Sequence, residues 1–191
     1  MVTNTDINRP PQWLALHFPH LAVDSLQLSV RNQRAEQACL KRLASWSYQF
    51  SSQVVIASRR NSLLLEVAAS QRLFGDAETL ARRVRTELKQ LGYRTSCGIA
   101  PTPEAAHLAA RHGLFIRTTG DIRKSIDTLS IDSLNLQLTS IRALHKMGFR
   151  TVAEVLRLPR KALARRLGLT VSDYLDRLMG HRPDPCKTFR P

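Results

Sequence analysis

The spacing of apolar residues changes several times along this chain of 191 residues, and each change marks a candidate element. WLALHF (13–18) is a continuous apolar run of strand length. Over residues 34–50 the spacing turns helical, with Ala35, Cys39, Leu43, Trp46 and Phe50 near one face. QVVIAS (53–58) and SLLLEVAA (62–69) are two further strand candidates. Between them Arg59, Arg60 and Asn61 leave room only for a hairpin turn. The most regular stretch follows Gly75: with Asp76 as N-cap, Ala77, Leu80, Ala81, Val84, Leu88 and Leu91 recur at helical spacing, and Gly92 predicts the stop. RTSCGIA (94–100) returns as a strand, and Pro101 and Pro103 lead into an alanine-rich helix through His107 to Gly113.

Strand, helix, strand, strand, helix, strand predicts an α+β fold of the ferredoxin-like (split βαβ) kind, an antiparallel sheet with both helices on one face. After a polar leader (1–11), this first domain takes residues 12–113. Residues 114–136 read as a connection, 137–182 as a small all-helical domain and 183–191 as a tail. Within the helical part, Thr151-Val-Ala-Glu154 is a capping box after a Gly148-Phe-Arg turn. Pro159 suits the start of another helix, and Gly168 and Gly180 suit stops.

Charge narrows the function classes. The chain holds 29 Lys+Arg against 15 Asp+Glu, a net +14, which points to a polyanionic partner. From residue 139 onward there are 12 Lys+Arg and 4 Asp+Glu, so eight of the fourteen excess charges lie in the helical part. The three cysteines are isolated, which suits a reducing cytosol better than a zinc or disulfide framework. No apolar run approaches the roughly 18 residues of a membrane span, and the opening residues are too polar for a signal peptide. A cytoplasmic protein without cofactor or metal is expected.

Four stretches together resemble the Y-family translesion DNA polymerases, and within them the ImuB-type polymerase-like proteins. WLALHFPHLAVDSL is similar to the first strand of the palm domain, and LASWSYQFSSQVVI with SLLLEVAASQRLFG to its central hairpin. YRTSCGIAPTPEAAHLAA is similar to the closing strand and helix, and LHKMGFRTVAEVLRLPRKALARRLG to the thumb with its helix-hairpin-helix region. The resemblance makes 12–113 a palm and 137–182 a thumb. It leaves the fingers missing or reduced near 27–38 and stops short of the little finger, as a fragment, truncated product or decayed paralogue would.

The resemblance also carries a disagreement. Catalytic members place an Asp-x-Asp pair at the end of the first strand, where this chain has His17 and Pro19. An Asp-Glu pair in the hairpin falls here on Asn61 and Ser62, Glu66 lies beyond that pair, and a lysine that steadies the triphosphate aligns with His107. Two magnesium ions need several hard anionic oxygens, which imidazole, amide and proline do not supply. The expectation is therefore no catalytic residues and no enzyme: an accessory protein in damage-induced (SOS) mutagenesis. The family implies an error-prone C-family polymerase, a RecA-like partner and the sliding clamp as companions. The alternatives are an active polymerase with relocated acids and an inert remnant.

For DNA, the family's glycine-rich thumb turn aligns with Leu134-Asn135-Leu136-Gln137-Leu138, where both glycines are absent. Side chains would then have to hold the phosphate backbone: Arg142, Lys146 and Arg150, followed by Arg160, Lys161, Arg165 and Arg166. The plain alternative is a solvated face. With aromatics at 6% and Trp13, Trp46, Phe50 and Phe74 on predicted core faces, no base-stacking platform is expected.

Overall fold

The computed structural model describes residues 10–21 and 33–190. The leader up to residue 9 and residues 27–32 of the presumed fingers stub lie outside the described residues.

Among the described residues, four strands form one sheet: β1 (Trp13–His17), β2 (Val54–Ala57), β3 (Ser62–Glu66) and β4 (Ser96–Ala100), in the order β2-β3-β1-β4. Every neighbouring pair is antiparallel. Strand alternation divides the side chains between two layers. Leu14, Leu16, Leu63, Leu65 and Val54 face one way and meet Leu40 and Leu43 of α1 (Gln33–Ser47), after a short α2 (Gln71–Phe74) also Leu80, Val84 and Leu88 of α3 (Ala77–Gln90). Ala15, Val55, Leu64 and Ala100 face the other way, toward α4 (Pro103–His112).

Side-chain caps explain where the helices start. Asp76 accepts the Thr79 amide at 2.7 Å, and Thr102 accepts the Ala105 amide at 3.2 Å with Pro103 in the first turn. Two predicted core positions differ. Leu91 is 54% exposed because α3 ends at Gln90, and Ala35 is exposed because Leu40 and Leu43 turn the inner face of α1 away from it. Phe50 is buried, but as a residue beyond the end of α1.

Helix α4 sits unusually close to the sheet. A Cβ at Gly98 would lie 2.2 Å from the Ala109 carbonyl carbon and 2.3 Å from the Ala110 nitrogen. Only glycine on the strand, facing alanines on the helix, allows that approach.

The stretch read as a connection is structured. Leu114–Ile116 runs beside β4, with Ile116 N–H donating to Ile99 O. It then forms α5 (Thr119–Ile126) and a 3-10 turn (Ile131–Ser133), burying Ile116, Ile122, Ile126 and Ile131. These isoleucines share one core with α6 (Leu138–Lys146), α7 (Val152–Leu156), α8 (Arg160–Leu167) and α9 (Leu169–Leu178). The sheet face, α4 and the helical part thus form a continuous apolar core. Thr102 donates to Leu178 O across that boundary at 3.1 Å.

Leu134 and Gln137, within the segment aligned with the glycine-rich turn, are extended, and Leu134 is buried. The tight turn between two short helices instead falls at Met147–Arg150, where Gly148 has φ +87°. At the far end of the sheet, Phe189 N–H donates to Val54 O on the outer edge of β2.

Candidate functional site

The antiparallel register places His17, the last residue of β1, directly opposite Ser62, the first of β3. Two of the positions that the resemblance aligns with the family's acids therefore meet at one end of the sheet. Asn61, a third, occupies the turn just before with φ +46°, a left-handed conformation that asparagine tolerates better than most residues. Pro19 lies beyond the strand and is exposed. Beside His17 and Ser62 opens a cavity of about 300 Å³ whose far walls are α4 and residues of the helical part, including Tyr174.

The charges around this cavity are mostly positive. Arg59 and Arg60, in the 3-10 turn between β2 and β3, line it together with Arg111 of α4. Its single carboxylate, Glu104, is buried and engaged: both its oxygens accept from Arg60, at 2.8 and 2.9 Å. The Asn135 amide oxygen accepts from the same guanidinium. Arg111 donates to Ser133 O at 3.1 Å.

Both imidazoles of the cavity are held in the neutral form. Burial, reinforced by Arg60 and by His17 itself, pushes the pKa of His107 down to about 3. Burial also holds His17 below its ordinary value, partly opposed by the hydrogen bond to Arg60 O at 3.1 Å. Since a carbonyl can only accept, that bond puts the proton of the neutral His17 ring on Nδ1. Burial raises the Tyr174 hydroxyl, which accepts the Asn135 amide at 3.1 Å.

This donor set does not fit a pair of magnesium ions. The one carboxylate is committed to Arg60, and the remaining charged groups are cations that would repel a metal. Glu66 stands at the opposite end of β3, opposite Trp13, where one oxygen accepts the Gln12 and Ala68 amides. Among the described residues, no three His, Cys, Asp or Glu side chains are grouped as metal ligands would be.

The thumb residues fall into two groups. Arg142 and Lys146 on α6, and Lys161, Arg165 and Arg166 on α8, are exposed and make no ion pair among the described residues. Arg160 is a different case: it packs against α9 with Nε 2.8 Å from Asp176, and its buried Nη1 has no hydrogen-bond partner among the described residues. Arg150 caps the end of α6, donating to the carbonyls of His145 and Phe149, both at 3.1 Å. Arg59, Arg60, Glu104 and Arg111 escaped the motif reading. The signal available was the Arg-Arg pair immediately before Asn61 and Ser62.

No helix among the described residues is long and apolar enough to cross a membrane. The sequence profile of the impB/mucB/samB family matches residues 17–111. Protein ImuB of Caulobacter vibrioides, from strains NA1000 and CB 15, is 30% identical over 171 residues, 88% of this chain. The chain spans 37% of the length of these curated relatives. Its fold is similar to that of Dbh DNA polymerase in an insertion ternary complex, with TM-score 0.69 and 12% identity over 92% of this chain and 69% of that one. DinB from Sulfolobus solfataricus superposes with TM-score 0.64 and 18% identity, over 82% of this chain and 48% of that one. Residues 17–111 thus carry an impB/mucB/samB family domain, and over most of its length the chain is similar to ImuB, on the palm-and-thumb fold seen in Dbh and DinB.

Proposed function

We propose that this chain is a non-catalytic accessory protein of DNA-damage tolerance, holding the DNA backbone through its thumb and partner proteins through its palm or thumb surface. The observation that carries this reading is the end of the sheet, where His17, Asn61 and Ser62 stand in place of acids and Arg60 engages the nearby Glu104. A polymerase palm needs negative charge there to gather magnesium and nucleotide. This palm presents the reverse.

The sheet order, with α1 and α3 on one face, supports a ferredoxin-like palm. The α6-turn-α7 unit, with Gly148 in its turn, supports a helix-hairpin-helix in the thumb. For the DNA contact, the exposed cations of α6 and α8 favour sequence-independent binding with a strong salt dependence. The relationship to ImuB supports a cytosolic assembly with an error-prone C-family polymerase, a RecA-like protein and the sliding clamp. Dbh DNA polymerase, on the same fold, forms an insertion ternary complex and a post-insertion binary complex, which supports substrate binding by such a palm and thumb.

Two measurements test the proposal. In primer extension with magnesium or manganese, the chain should add no nucleotide; incorporation abolished by a palm substitution would refute the non-catalytic reading. Fluorescence anisotropy with a primer-template duplex should give binding that weakens steeply with salt. A well-folded chain that ignores the duplex at low salt would remove DNA from the proposal.

A further inference from the structure

The half-open cavity at the sheet end combines a concave lining with uncompensated positive charge. Three guanidinium groups line it against one carboxylate, and that carboxylate is spent on Arg60. Arg59 makes no ion pair among the described residues, and Arg111 meets only a neutral carbonyl. With both imidazoles neutral, the lining holds two positive charges in excess at pH 7. About 300 Å³ is ample for a phosphoryl group with some of its hydration. Arginine is the side chain best shaped to hold phosphate oxygens, through paired N–H donors.

We infer that this cavity is a metal-independent phosphate site, taking inorganic phosphate or the terminal phosphate of a nucleic-acid strand on Arg59 and Arg111. The sheet end that gathers cations in catalytic palms would here gather an anion directly. The Arg60–Glu104 pair serves as the rigid wall, since Asn135 and Glu104 already use the Arg60 donors. This site adds a ligand to the accessory reading and rests on its premise that no metal pair is held here. It does not depend on the thumb.

The test is titration of the chain with inorganic phosphate in excess EDTA, followed through the His17 and His107 ring resonances, which border the cavity. The second arm compares 5′-phosphorylated with unphosphorylated single-stranded oligonucleotide. Saturable shifts of both rings are expected, with binding weakened at least about tenfold in Arg59→Gln and in Arg111→Gln. A thumb variant with Lys161, Arg165 and Arg166 changed to alanine should bind phosphate as before. Preference for the phosphorylated strand identifies a nucleic-acid end as the source, whereas phosphate binding with no such preference assigns the site to a free anion.

Binding that requires magnesium, that leaves the two rings unmoved, or that survives Arg59→Gln would overturn the inference. Arg59 lies exposed in a short turn, so this variant remains decisive even if Arg111→Gln loses its hold on Ser133 and fails to fold. Failure of the thumb variant on duplex DNA with intact phosphate binding touches only the accessory reading. Loss of phosphate binding with intact duplex binding touches only this site.

Discussion

Two basic regions of this molecule use the same residue type in opposite ways. At the sheet end, Arg60 is part of the wall, tied to Glu104 and Asn135, while Arg111 is anchored to Ser133 O through one nitrogen with donors to spare. On α6 and α8, Arg142, Lys146, Lys161, Arg165 and Arg166 stand in solvent with no ion pair among the described residues. Arg160 belongs by sequence to the second group and by structure to the first, since it anchors α8 to α9 through Asp176. Composition counts all of these as equal charges. Position decides which are structural and which remain available to a partner.

The comparison can be broken hardest at the packing that frames the sheet-end region. Gly98→Val would drive a side chain into the backbone of Ala109 and Ala110, which cannot withdraw without lifting α4 off the sheet. The expected loss is at least about 3 kcal/mol, a large share of the roughly 5–15 kcal/mol of a typical domain, as read by urea denaturation. A folded, stable Gly98→Val protein would mean that α4 is not so tightly seated.

Acid provides the next test. The folded pKa of His107 lies below its value of 6.5 in the unfolded chain. The unfolded state therefore binds the proton more readily. This contribution to stability is complete above about pH 6.5 and is lost as pH falls toward about 3, at no more than about 1.4 kcal/mol per pH unit. His107→Gln should flatten that part of the stability profile. An identical profile in the variant would show that the imbalance between neutral and charged groups in the cavity has been misjudged.

A milder cut separates wall from surface. Glu104→Ala removes the carboxylate from Arg60, whose side chain is 25% exposed, so water relieves part of the stranded charge. A loss of about 2 kcal/mol is expected in denaturant titration, less than for a fully buried pair. By contrast, alanine at Lys161, Arg165 and Arg166 should change stability by under about 0.5 kcal/mol each. The same triple change should lower the slope of log K against log salt for duplex binding by up to about 2.7, if each cation meets one phosphate. A destabilised triple variant would place these residues in the wall class with Arg160.

Legibility followed the range of the interactions involved. Asp76 and Thr151 announced helix starts, because a cap is a bond between residues three apart. The strands read from their apolar runs, and the family's acid positions from the order of residues along them. Helix α5 was hidden in an apparent connection because its short pattern, Ile122 and Ile126, is completed only by partners elsewhere in the chain. Leu91 misled for the opposite reason: it continues the period of α3 but lies past the last helical residue, Gln90.

The amino-acid order by itself determined the alternation of strands and helices, the excess of positive charge and the absence of acids at His17, Pro19, Asn61 and Ser62. Those are properties of neighbours along the chain. Only the tertiary structure decided that Arg60 of a hairpin turn, Glu104 and Arg111 of α4, and Asn135 near the thumb enclose one cavity. Their meeting depends on the strand register, on the close seating of α4 at Gly98 and on a core shared with the helical part. Such contacts link residues tens of positions apart, and no local pattern records them.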